Sequence, residues 1–221
     1  MLKRIPGFRW GRRVLASEAG ILEMYGVYTP IEDLDPGRFA EARVAEIAVL
    51  VVRIVGLDVL DREAPMIEQV DKLAVCYQRV ADGVSSRGGL LQFAAGGLFQ
   101  SSFGLDAPSD GAEDALAAAG AIVRDSQEPL LRDGAQGARL VFAAGISLGN
   151  CVVGPIQSIL TVIGPPAVDA QSLCRSSGPG EVSVDEVAWS RLKPRTRAAL
   201  ETLCPIQSVA RPALRGWKMR V

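Results

Sequence analysis

Residues 87–104, RGGLLQFAAGGLFQSSFG, have the spacing of a segment that could present chemistry. Two apolar runs flank Gly96-Gly97, and glycine can take the positive φ angles that a tight two-residue hairpin turn demands. A hairpin tip is a natural place for a catalytic acid, base or hydroxyl, yet this one carries none. The wider inventory of reactive residues is also thin. The chain has no histidine, which removes the commonest general base and the commonest metal ligand. Its four cysteines, Cys76, Cys151, Cys174 and Cys204, stand far apart with no C-x-x-C pair. That spacing argues against structural zinc and for a reducing, cytoplasmic setting, with each thiol a small buried hydrophobe rather than a nucleophile. Charge is concentrated at the start. Lys3, Arg4, Arg9, Arg12 and Arg13 fall within 13 residues that hold no acid and that include Phe8 and Trp10. The favoured reading is a solvated, partly disordered tail. The alternative is a docking segment for an acidic partner or a membrane surface.

The elements that must position these residues follow from periodicity. The chain is 48% hydrophobic and 22% charged over 221 residues, with a formal charge of −1. These values suit a globular core and give no general attraction to nucleic acid. The longest apolar run, 47–60, is interrupted by Arg53 and Asp58 and is too short to span a bilayer. The N-terminus lacks the apolar region of a secretory signal. From residue 45, VAEIAVLVVRI reads as a buried strand. Ile67, Val70, Ala74, Tyr77, Ala81 and Val84 recur at helical spacing, predicting a helix to about residue 85. The hairpin covers 89–103 and a second helix about 110–126. A strand covers 138–149, with short strand-like pieces to 164. A helix is expected at 166–175, then a short strand and a helix capped by Asp185. A last β-ribbon covers 206–221. The order strand, helix, hairpin, helix, strand is βαββαβ, a ferredoxin-like α+β core with extra C-terminal strands and helices. Residues 1–44 are expected to be an extension, with turns at Thr29-Pro30 and Asp35-Pro36-Gly37 and weak helicity at 14–24. Residues 45–221 are expected to be one domain.

Several stretches in this order resemble the class III nucleotidyl (adenylyl and guanylyl) cyclase homology domain. VLVVRIVGLD (49–58) is similar to that family's first strand, VLFxDIxGFT. The hairpin is similar to GGxxxKxxGDxxxAxFG, and GISLGNCVVGPIQS (145–158) to GIxxGxxxxGxxGS. TVIGPPAVDAQSL (161–173) resembles TVIGDxVNxAxRL. GPGEVSVDEVAWSRL resembles PGxIxVSxxxxxxL, LRGWKMRV the closing strand, and MYGVY (24–28) the segment just upstream. Diguanylate cyclases share the core topology, but the GISLGNCVVG and TVIG stretches favour the nucleotidyl cyclases.

The resemblance implies a two-metal site with one Asp on the first strand and one at the hairpin tip, because cyclisation needs charge neutralised on the leaving pyrophosphate. Those positions hold Arg53 and Gly97. The base-selecting Lys position holds Phe93, and the second base-selecting position holds Thr161, which is retained. The ribose-orienting Asn position holds Val168, and the transition-state Arg position holds Ser172. A one-residue slip of the alignment restores no acid, since none lies between Ala48 and Leu57 or within 88–104. Nor do Asp58 or Asp106 replace them by position. Arg53 has two readings: a strand-end residue paired with a nearby carboxylate, which is favoured, or an electrostatic stand-in that holds a phosphate.

The resemblance therefore implies a degenerate cyclase domain without cofactor or metal, a pseudoenzyme serving as an interaction or scaffolding module in bacterial signalling. It also implies a homodimer or heterodimer, because the family's sites form across a head-to-tail interface. Arg53, Phe93 and the basic N-terminal residues are the candidate interaction residues, and the protein partner is unknown. The alternatives are a nucleotide-sensing domain without turnover and an active cyclase with a rebuilt site.

Overall fold

The computed structural model describes residues 9–12, 25–28, 41–57, 66–105, 110–125, 140–156, 159–200, 202–205 and 214–221. Its centre is β3 (Arg43–Val55), the run of β-branched residues picked out by sequence. Helix α1 (Met66–Ser85) follows, then the hairpin β4 (Leu90–Ala95) and β5 (Leu98–Phe103), helix α2 (Gly111–Asp125) and β6 (Val141–Ile156). This is the expected βαββαβ unit. The chain continues through β7 (Ile159–Ile163), α3 (Pro165–Ser176), β8 (Glu181–Asp185), α4 (Glu186–Arg191), the single turn α5 (Pro194–Arg197), β9 (Thr202–Pro205) and β10 (Arg215–Arg220).

The strands form one mixed sheet in the order β1-β2-β4-β5-β3-β6-β8-β10-β9, with β7 paired to β6. Here β1 is Arg9–Arg12 and β2 is Tyr25–Tyr28. Residues 9–12 are thus not a loose tail. They pair antiparallel with β2, which pairs in turn with β4 through Val27↔Ala94 and Tyr28↔Phe93. A strand edge offers backbone donors and acceptors that a basic composition does not forbid. Lys3, Arg4 and Arg13, the expected helix at 14–24, and Asp58 and Asp106 lie outside the described residues, as do the side chains of Arg9 and Arg12.

Strand β6 is longer than the sequence predicts. It runs on through CVVGPI because β3 pairs with it along Arg43–Val55, and β7 then pairs with its last five residues. The expected N-cap is present: the Asp185 carboxylate accepts the Ala188 N–H at 2.7 Å.

Alternation along β3 builds two cores. Ala48, Leu50, Val52 and Ile54 face α1 and α2, while Ile47, Val49 and Val51 face β7 and α3. Each fully buried aliphatic side chain is worth roughly 1.5–3 kcal/mol, so this strand contributes to the hydrophobic stabilisation on both of its faces. Pro165 and Pro166 start α3, where missing N–H groups cost nothing. The helix then lies directly on β6. A Cβ built on Gly145 would stand 2.3 Å from both Ala170 O and Cys174 N, so only glycine admits the helix at this depth.

Both obstructing atoms are backbone and cannot swing aside. Gly145→Ala is therefore expected to cost about 1–3 kcal/mol of stability through overpacking. A urea titration would show this as a lower midpoint at unchanged slope, and an unchanged midpoint would contradict the close approach.

Candidate functional site

The hairpin turn brings two of the six positions of interest together. Gly96 and Gly97 have φ of 56° and 75°, the paired positive angles of a type I′ turn. Strand β5 then pairs with β3 so that Arg53 lies opposite Leu98, and Ile54 N–H donates to Gly97 O at 2.8 Å. Gly97 is buried. A Cβ there would meet Leu57 Cδ2 at 2.9 Å and Ile54 Cβ at 3.5 Å. The tip is closed by aliphatic side chains as well as bare of polar ones.

Arg53 is half-buried on the α3 side of the sheet, as its place in the β3 alternation requires. The favoured sequence reading gave it a carboxylate partner, and that is corrected by the geometry. Its Nε donates to Cys174 O at 3.1 Å and its Nη2 to Ser177 O at 2.7 Å. Both acceptors are carbonyls at the C-terminal end of α3, Cys174 in its last turn and Ser177 at its C-cap, where the helix carries partial negative charge. Hydrogen bonds to a charged group are worth about 1.5–3 kcal/mol, which offsets the partial burial of the guanidinium.

The other positions are dispersed. Phe93 stands opposite Gln100 on the same side of the sheet as Arg53 and is 42% exposed. A bulge between Leu91 and Phe93 turns Gln92 inward, where its Oε1 accepts the Ser102 hydroxyl at 2.7 Å. Thr161 is half-buried on β7 opposite Gly154. Val168 and Ser172 lie one turn apart on the outward stripe of α3, and Ser172 Oγ donates to Val168 O at 3.0 Å. Their neighbours Asp169, Ala170, Leu173 and Cys174 point into the protein.

Two polar arrangements escaped the sequence reading. Lys218 on β10 donates from Nζ to Ser176 O at 3.0 Å, beside the Arg53 acceptors, and pairs with Glu181 at 3.3 Å. Asp185, 1% exposed, accepts the Ser147 hydroxyl at 2.5 Å. Burial raises its pKa despite the hydrogen bonds that favour its charged form. An arginine inside an apolar run was the available signal for the first. A serine at an inward strand position was the signal for the second.

Burial also disposes of the three thiols among the described side chains. It pushes Cys76 up to about 12, Cys151 to about 11 and Cys174 to about 12, far from the thiolate that a nucleophile requires. Among the described residues, no three His, Cys, Asp or Glu side chains gather as metal ligands, and no helix is long and apolar enough to cross a membrane.

No family model matches the chain, and no curated protein does. Solved structures do. The adenylyl cyclase CyaB from P. aeruginosa superposes with a TM-score of 0.70 at 19% identity, over 81% of this chain and 96% of that one. The guanylyl cyclase Cya2 gives 0.70 at 17% identity, over 80% and 92%. A non-canonical dimeric guanylyl cyclase domain of the RhoGC fusion protein from the aquatic fungus Blastocladiella emersonii gives 0.66 at 14% identity, over 80% and 96%.

The thiol assignment has a direct check. In the native state at pH 8, Cys76, Cys151 and Cys174 are expected to resist iodoacetamide, and to react once urea unfolds the chain. Peptide mapping by mass spectrometry reads each site, and rapid native labelling at any of the three would restore it as a candidate nucleophile.

Proposed function

We propose that this chain, which has the fold of the class III cyclase catalytic domain, is a pseudoenzyme that acts as a protein–protein interaction module in bacterial signalling. The observation that carries the reading is Arg53. At the position where the resemblance places the first metal carboxylate stands a permanent cation, committed to Cys174 O and Ser177 O. At the second position, Gly97 has a positive φ that strains any side chain, and a Cβ there would press on the Leu57 side chain. The residues present at these two positions do not fit a divalent-ion pair.

The remaining positions support the same reading. Phe93 offers no donor to a base, Val168 none to a ribose, and the Ser172 hydroxyl bonds its own helix. Exposed apolar side chains at Phe93 and Val168 favour contact with protein over a triphosphate.

The interaction half of the proposal draws on a different surface. Val44, Val152 and Ile163 form one register row across β3, β6 and β7. They are 70%, 47% and 54% exposed. Adjacent exposed aliphatic side chains mark an association surface. A second copy of the chain is the favoured occupant, since one structure of a domain of the same fold is a non-canonical dimer. The basic N-terminal segment is proposed as a second contact, for an acidic partner or a membrane surface.

With ATP or GTP and Mn²⁺, the protein is expected to form no cyclic nucleotide above a protein-free control. Product above that control overturns the pseudoenzyme reading. Calorimetric titration with the same nucleotides is expected to show no saturable binding. A micromolar isotherm would replace the module with a nucleotide sensor.

Light scattering is expected to give a dimer mass, shifted toward monomer by Val152→Asp. A monomer at high concentration removes the homodimer and leaves a heterodimer. A pull-down with and without residues 1–24 would test the N-terminal segment.

A further inference from the structure

We infer that Arg53 is a built-in cation that fastens the C-terminal end of α3 to β3, so that the outward face of this helix is held in place without a divalent ion. The inference rests on the reading that Arg53 occupies a former metal position. It adds what the residue does there.

Two cations from different strands converge on the end of α3. Arg53 of β3 takes Cys174 O and Ser177 O, at 3.1 and 2.7 Å, and Lys218 of β10 takes Ser176 O at 3.0 Å. In the sheet, β3 and β10 are separated by β6 and β8, so the clamp spans four adjacent strands. Between its arms Ser177 is itself held. It is 1% exposed, and its Oγ lies 2.9 Å from Ala144 O and 2.7 Å from Ser183 Oγ. The arms land on the last turn and the C-cap of the helix that carries Val168 and Ser172 outward.

The chemistry of the anchor differs from that of a metal. A guanidinium stays charged across the accessible pH range and offers its donors in a planar fork. It reaches two carbonyls at once, cannot be chelated away and needs no carboxylate. A divalent ion brought to the same place would meet that charge. The α3 face is therefore preset, whether or not nucleotide or metal is present, as a constitutive contact surface requires.

Hydrogen exchange read by mass spectrometry on the full chain tests this in three buffers, containing EDTA, Mg²⁺ or Mn²⁺. Wild-type protection over 174–178 is expected to be the same in all three. Arg53→Met is expected to speed exchange there about tenfold or more, while the β5 segment 98–103 stays as in wild type. Arg53→Lys, with one point of attachment, is expected to fall between. A methionine variant exchanging like wild type overturns the anchor. So does wild-type protection that rises with Mn²⁺. If the methionine variant fails to fold, the lysine variant and the wild-type ion series still decide. Cyclic-nucleotide formation would overturn the pseudoenzyme reading without changing these rates, so the two failures are separable.

Discussion

The pairing of β3 with β6 is the constraint on which the rest of the structure depends. It extends from Arg43↔Val153 to Val55↔Val141. Between Ile47 and Val52, no β3 residue is more than 1% exposed. A strand buried on both faces must be covered twice, and this dictates the layers. Helices α1 and α2 cover one face, and β7 with α3 covers the other. The same ladder sets the depth of α3, because Gly145 sits in β6 opposite Val51 and directly beneath the helix. It also sets the height of the hairpin tip, because β5 is aligned on β3 so that Leu98 meets Arg53.

That alignment explains how a charge is tolerated in an otherwise apolar strand. Arg53 stands one alternation beyond Val51, where the covering changes from apolar side chains to the end of a helix. An aliphatic residue there would leave the carbonyls of Cys174 and Ser177 facing a side chain with no donor. A carboxylate would meet the negative end of the helix. Arginine suits both conditions. Side-chain type at this position is thus matched to the local backbone, and the anchor and the proposed loss of metal binding are two consequences of one residue.

Much of the architecture was legible in advance, for physical reasons that differ by element. The β3 run shows itself because two-sided burial demands continuous β-branched residues. The hairpin shows itself because two positive φ angles demand Gly96 and Gly97. Asp185 shows itself because a helix start leaves N–H groups that its carboxylate can accept. Other features were not legible. Strand β6 continues past residue 149 because partners on both sides supply hydrogen bonds there, which local propensity cannot register. Residues 9–12 pair in a sheet although their composition reads as a solvated tail. The partner of Arg53 was misjudged, because sequence advertises carboxylates as counter-charges and does not advertise backbone carbonyls.

The sequence by itself determined the order of elements, the two faces of the central strand, the bare turn and the absence of histidine. These are properties of side-chain type and spacing along one dimension. Only the tertiary structure decided where the charge of Arg53 is spent, that Lys218 joins it from β10, and that Val44, Val152 and Ile163 form one exposed row. These bring together residues from distant parts of the chain, Arg53 and Ser177 being 124 positions apart, and such partnerships come from strand register and helix depth. Pattern determines which side chains must be buried, and register determines which of them meet.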